Sequence, residues 1–347
     1  MTVRLLDLAT CTCAVSAPDT VHDAMLEYLQ PYLIPALDQP NVVVDIRCDA
    51  TVVTQTHRAL AERTPAVTRR SHPQQRYHAW MGANKEILFP EHTPNHMITT
   101  TNDHIVLTAN HSKVAATVGT RIIRQLIMRG GEALGGRSVH AGAVDVEGDG
   151  VLVGGLPGAG KTSVLTHLIE RHDASPIAND RTILAPVSDR SWRAVGVPLA
   201  WRFTPEGIGG CSALSTALAD FEPSRGRHLV DGKVELTPAE VSRALGRRTV
   251  ATTRIARIVL LVRSTERTAV SLDASFVQRH LDLGAVDFFA EDWLGIRPHL
   301  AGHRDQLLAG GEDWWNEVVL TVPIQVVSWT DPVELPALAG AVASGAY

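Results

Sequence analysis

The run Gly155-Leu156-Pro157-Gly158-Ala159-Gly160-Lys161-Thr162 sets glycine at three positions ahead of a lysine and a hydroxyl. This is the pattern G-x-x-x-x-G-K-[ST], and its surroundings fit: the apolar "VLVGG" reads as a strand and "TSVLTHLIERH" as a helix. Glycines let backbone N–H groups turn inward around phosphate oxygens, and a helix start adds partial positive charge. Lys161 would reach the terminal phosphates and Thr162 would offer its hydroxyl to magnesium. Ser163 extends the nucleotide-contacting set into the helix. A glycine turn that only caps a helix requires neither the Lys-Thr pair nor glycine at all three positions. ATP and Mg2+ are therefore the expected cofactors.

A phosphate cradle does not say what becomes of the phosphate, so a second acidic group is needed. The first credible one downstream is Asp180, after the short run Pro176-Ile177-Ala178-Asn179, one helix and one return strand beyond the loop. At a strand end beside the loop its carboxylate would hold metal waters or accept a proton from an attacking hydroxyl. Asp173 is nearer but follows Arg171-His172 at a helix end, where solvation is the simpler reading. His140 is expected on the strand that pairs with the loop-bearing one, where imidazole could donate to a phosphoryl oxygen or ligate a divalent ion. No arginine for the phosphoryl charge stands out. Arg225, Arg227 and Lys233 in "SRGRHLVDGK" form a basic loop that would either close on phosphate or remain solvated. His92 and His96 are separated by Pro94, which forbids the helix that would align them as metal ligands, so solvated histidines are expected there.

The elements that must position these groups can be outlined. "RSVHAGAVDVEGDGVLVGG" reads as two strands joined by a tight turn at Gly148-Asp149-Gly150. Further strands are expected in "IANDRTILAP", "WRAVGVPLAW", "KVELTP", "IARIVLLVRS" and "VPIQVVSW", with helices at 238–245 and 274–283. Upstream, "TVRLLDLA" and "NVVVDIRC" flank a segment where Asp19 or Thr20 caps a helix that Pro31 and Pro35 disrupt. Residues 58–111 are polar and histidine-rich, with short strands at "RYHAWMG", "EILFP" and "HIVLTAN". Val114, Val118, Ile122 and Leu126, with Ile123 and Ile127, recur at helical spacing, and Gly130 and Gly131 are expected to end that linking helix.

The ordered set "VHAGAVDVEGDGVLVGGLPGAGKTSVLTHLI" and "IANDRTIL" resembles the catalytic core of the HPr kinase/phosphorylase family, a core shared more distantly with phosphoenolpyruvate carboxykinases. The family pattern has a histidine before the loop, a hairpin turn, the P-loop, and a short helix leading to an Ala-Asp-Asp strand end. These match His140, Gly155 to Thr162, and Ala178-Asn179-Asp180. The resemblance implies a P-loop kinase core of mixed sheet with helices, catalytic roles for Asp180, His140 and Lys161, metal binding by Thr162 and Asp180, and possible homo-oligomers. It spans residues 139–184, and residues 1–110 show no such resemblance. Asn179 replaces the first of the paired aspartates, which shifts the metal and base roles onto Asp180. A Glu-x-Arg-Gly-Leu signature is absent; "VGVPLAWRFTPEGIGG" stands there instead, with Arg202 and Glu206 as positional substitutes. Its absence argues against HPr as substrate and towards a divergent kinase of a peptide or small-molecule pathway.

At 347 residues, with 45% hydrophobic and 20% charged residues, the chain can bury sizeable cores and is expected to form two domains. The expected division is a smaller α+β domain at 1–112, shaping the substrate, and an ATP-binding catalytic α/β (α+β) domain at 113–347. A net charge of -5 gives no footprint for nucleic acid or an anionic membrane. Cys11, Cys13, Cys48 and Cys211 lack zinc-site spacing, Cys11 and Cys13 read as buried thiols, and no secretory signal is evident, so a cytoplasmic setting is expected. The function expected is transfer of the ATP γ-phosphoryl group to a hydroxyl on a small molecule or peptide. A carboxykinase, or a nucleotide-dependent switch with slow hydrolysis, are the alternatives.

Overall fold

Alternating burial along short strands builds the first half of this chain, in a computed structural model that describes residues 1–72, 75–187, 190–219, 229–230, 232–264, 272–282, 292–296 and 311–345. Strands β1 (Thr2–Asp7), β2 (Thr12–Ala17), β3 (Leu33–Ile34), β4 (Val42–Cys48), β5 (Val67–His72), β6 (Gln75–Met81), β7 (Glu86–Pro90), β8 (His96–Thr100) and β9 (His104–Ala109) form one mixed sheet, ordered β3-β1-β2-β4-β9-β8-β7-β6-β5. In β2 every second side chain, Cys13, Val15 and Ala17, is buried, and the adjoining Cys11 is buried too, as expected of this pair. Helices α1 (Asp19–Leu29), α2 (Ala50–Leu60) and α3 (Ser112–Ala133) accompany the sheet. His96 departs from the solvated histidine expected: it is buried, its Nε2 lies 2.7 Å from the Tyr77 hydroxyl, and burial lowers its pKa to about 4. His92 is exposed.

The chain divides into two compact units, Met1–Leu134 with Leu283–Arg304, and Gly135–Asp282 with Asp305–Tyr347. Helix α3 thus falls in the first unit, whereas the sequence division at 112 put it in the second. Its apolar face, Val118, Ile122, Ile123, Leu126 and Ile127, is buried, and it packs on α1, β4 and β9. Nor do Gly130 and Gly131 end it. A Cβ on Gly130 would lie 2.8 Å from Thr10 Oγ1, so glycine serves close approach here rather than termination.

The second unit is laid out around a hairpin. Its strands are β10 (Arg137–Val139), β11 (Ala141–Val146), β12 (Asp149–Gly155), β13 (Ser175–Ala178), β14 (Thr182–Val187), β15 (Ser191–Gly196), β16 (Trp201–Phe203), β17 (Leu229–Val230), β18 (Lys233–Leu236), β19 (Thr252–Arg263) and β20 (Ile324–Trp329). The main sheet runs β10-β14-β15-β19-β12-β11-β13, with β20 also on β19, while β16, β18 and β17 form a small separate sheet. Helices α4 (Lys161–Arg171), α5 (Pro205–Gly209), α6 (Ser212–Ala219), α7 (Pro238–Leu245), α8 (Ala274–Leu281), α9 (Gly311–Thr321) and α10 (Leu335–Ser344) complete it.

Strand β12 is buried on both faces: Val151 and Val153 join a core with Leu165 and Leu168 of α4 and Leu338 of α10, while Leu152 joins another with Val277, Leu281 and Trp315. This explains its unbroken apolar run. It pairs antiparallel with β11 and parallel with β19. The turn between β11 and β12 is Glu147-Gly148, one step earlier than expected. Both residues have positive φ (54° and 93°), and Asp145 Oδ1 accepts from Gly148 N at 2.8 Å. Among the described residues no helix is long and apolar enough to cross a membrane.

Candidate active site

Three segments reach the same end of the sheet. Strand β12 ends at Gly155, where the glycine loop begins. Ala141, the first residue of β11, pairs with Gly154, so His140 stands beside that end. Ala178, the last residue of β13, pairs with Ala143, so Asn179 and Asp180 arrive there also. The sequence placed His140 on a strand and read "IANDRTILAP" as one strand. Instead His140 occupies a bend between β10 and β11, and Asn179 to Arg181 form the break between β13 and β14. Each break lets the chain switch partners, since β10 pairs with β14 and β11 with β12 and β13.

The loop is built on backbone that glycine adopts without cost: Gly155, Gly158 and Gly160 have φ of 144°, 81° and 89°. Leu156, Pro157 and Gly158 are exposed while Ala159 is buried. Gly160 is the N-cap of α4 and supplies no capping side chain, so the first-turn amides of Lys161, Thr162 and Ser163 are available to an anion. Lys161 is only 8% exposed and its Nζ donates to Gly155 O at 2.7 Å. Burial lowers its pKa, Asp180 opposes this, and the Arg181 and Lys233 charges lower it further, to about 8.

Thr162 Oγ1 donates to Asn179 Oδ1 at 3.1 Å, tying the first turn of α4 to the break between β13 and β14. Asp180 is gripped from two sides, by His140 Nε2 at 3.0 Å and Arg181 Nη1 at 2.7 Å. Partial burial pushes its carboxyl up, but the His140 hydrogen bond and the Arg181 and Lys161 charges outweigh this and bring it to about 2. The carboxylate is thus ionised and oriented throughout the neutral range.

The loop, His140, Lys161, Thr162 and Asp180 therefore come together. Asp173 does not join them: it is exposed and paired with Arg247. Arg202 pairs with Glu235 at 2.7 Å, and Glu206 is an exposed first-turn residue of α5, capped by Thr204. Arg225 and Arg227 lie outside the described residues. Of that basic loop Lys233 is described, exposed on β18, and its charge is felt at Lys161. Arg181 is the residue that sequence reasoning missed. Read as a strand neighbour of Asp180 it would face the opposite way, but in the break between strands that alternation lapses. Its adjacency to the candidate acid was the available signal.

The donor set suits a hard cation that keeps phosphate and water ligands: a threonine hydroxyl, an amide oxygen and one carboxylate. Among the described residues no group of three or more His, Cys, Asp or Glu side chains could by itself hold a metal.

No protein-family model matches this chain, and no curated protein does. Among solved structures, the Hpr(Ser) kinase/phosphatase from Coxiella burnetii is a distant likeness, with a TM-score of 0.33 and 15% identity, covering 60% of this chain and 90% of that one. At that distance the chemistry has to be read from the side chains themselves.

Proposed function

We propose that this protein is an ATP-dependent phosphotransferase that moves the γ-phosphoryl group to a hydroxyl of a small molecule or a peptide serine. What carries the reading is one arrangement: a P-loop whose Lys161 and Thr162 stand at the sheet end where His140 and Arg181 orient the carboxylate of Asp180. Phosphoryl transfer needs positioning and charge stabilisation more than covalent chemistry, and each of these groups supplies one or the other.

The loop amides and Lys161 hold the β- and γ-phosphates. Asp180 accepts a hydrogen bond from the acceptor hydroxyl and aims its oxygen at phosphorus. The new O–P bond forms as the bond to the β-phosphate bridging oxygen breaks, ADP leaves, and the hydroxyl proton passes to Asp180 and then to water. His140 and Arg181 hold the Asp180 carboxyl well below the usual carboxylate range, so it stands ionised and open to that proton. Arg181, beside the carboxylate, is the cation placed to balance phosphoryl charge. Thr162 and Asp180 would hold Mg2+, which neutralises phosphate charge when bound.

The test is mass spectrometry of reactions containing ATP, Mg2+ and panels of hydroxyl-bearing small molecules and serine peptides. A product gaining one phosphoryl group, with ADP formed in step, is expected. ADP formed at one slow rate whatever acceptor is present would overturn transfer in favour of a nucleotide switch, and release of CO2 from oxaloacetate would point to a carboxykinase.

A further inference from the structure

We infer that Trp329 is a positioning residue for the phosphate loop, fixing the direction of a backbone N–H that meets phosphate; this rests on the nucleotide reading above. Trp329 closes β20 opposite Arg263 on β19, two positions beyond Leu261, the residue that pairs with Gly155 at the end of β12. The indole therefore stands just past the sheet end from which the loop springs. Its Nε1 donates to Ala159 O at 2.8 Å, with both residues buried.

Ala159 lies between Gly158 and Gly160; its own N–H donates to Leu156 O at 3.0 Å, which orients the peptide before it, while the peptide after it turns on a permissive glycine and has its carbonyl bound by Trp329. The indole sets the orientation of that second peptide. The described peptides are trans, so the Ala159 carbonyl and the Gly160 N–H point in opposite directions. Pinning the carbonyl to the core side turns the Gly160 N–H to the outer side, where phosphate would sit. The same ring also limits what residue 160 can be. A Cβ there would lie 3.1 Å from Trp329 Cζ2 and 3.3 Å from Leu335 Cδ2, at a φ of 89°.

The ring is itself held in place. The Arg263 guanidinium lies over it at 5.2 Å from the ring centre, and Ser264 N donates to Trp329 O at 3.1 Å. Removing the indole N–H leaves the Ala159 carbonyl a buried acceptor without this donor, and the Ala159–Gly160 peptide plane can turn at Gly160 although the preceding peptide stays bound to Leu156 O.

The test replaces Trp329 with phenylalanine and, separately, with 3-benzothienylalanine, which keeps the bicyclic shape and lacks the N–H. Calorimetry with ADP and with inorganic pyrophosphate as probes should show affinity about tenfold weaker in both variants, below their melting temperatures. In turnover, KM for ATP should rise with kcat little changed. Affinities equal to those of the unaltered chain, or a fall in kcat at unchanged KM, would overturn the inference while leaving the nucleotide reading in place. An unaltered chain that binds neither ADP nor ATP would overturn both.

Discussion

Nucleotide binding by this protein should take up a proton above neutral pH, and Lys161 is the reason. Its ammonium is buried, held by Gly155 O, and flanked by the charges of Arg181 and Lys233, so that its pKa falls from an ordinary 10.5 to about 8. A polyphosphate in the cradle removes that penalty by pairing the charge, returning Lys161 to its ordinary range. At pH 8 about half of the free protein lacks the proton, so binding takes up ~0.5 proton; at pH 9 it takes up ~0.9, and at pH 7 only ~0.1. Affinity should correspondingly fall about fivefold between pH 8 and pH 9. The same linkage acts on folding: between about 8 and 10.5 the unfolded chain holds a proton that the folded chain has released, so stability rises with pH across that window. ADP calorimetry in buffers of different ionisation enthalpy measures the uptake directly, since ADP phosphates are already ionised at pH 8 and above. Lys161→Arg keeps the charge at every pH and should abolish the uptake. Tight ADP binding with no proton uptake at pH 8.5 would refute the reasoning.

Asp180→Asn should spare ADP affinity and lower kcat about a hundredfold, because an amide puts a donor NH2 where one of the two oxygens that accept from His140 and Arg181 stood, and carries no charge for the incoming proton; single-turnover transfer at saturating ATP measures this. In the unaltered chain the Asp180 contribution to stability is present above its ordinary 3.8 and lost as pH falls through about 2, so acid unfolding should begin at a different pH in this variant. Asn179→Asp places a carboxylate at a site only 6% exposed, next to Thr162 and Asp180, so its thermal midpoint should drop without metal and recover on adding Mg2+, read by calorimetric scanning. Gly130→Ala gains helix propensity but drives a methyl to within 2.8 Å of Thr10 Oγ1, and should destabilise the chain by ~1–2 kcal/mol in urea unfolding.

Local chemistry was legible in the sequence wherever one stretch of chain decides it. The glycine loop ahead of α4 could be read because Gly155, Gly158 and Gly160 stand in one short run before Lys161 and Thr162, and each holds the positive φ that glycine adopts most readily. The helix at Pro238–Leu245 was likewise plain, being closed by a Thr237–Glu240 capping box and a left-handed Gly246. The buried state of Cys11 and Cys13 followed from their place in an apolar stretch and from the burial habit of free cysteine. What depends on partners distant in sequence was not legible. Gly130 looked like a helix terminator because nothing nearby reveals that Thr10 lies against it. His96 looked solvated because its partner Tyr77 belongs to another strand. Arg181 looked unremarkable because the break that turns it towards Asp180 arises where β13 and β14 part to pair with different strands. Sequence determined which groups could meet a phosphate; tertiary structure decided how each is held, because burial, charge proximity and the pinning of a peptide plane by Trp329 exist only once remote segments are packed together.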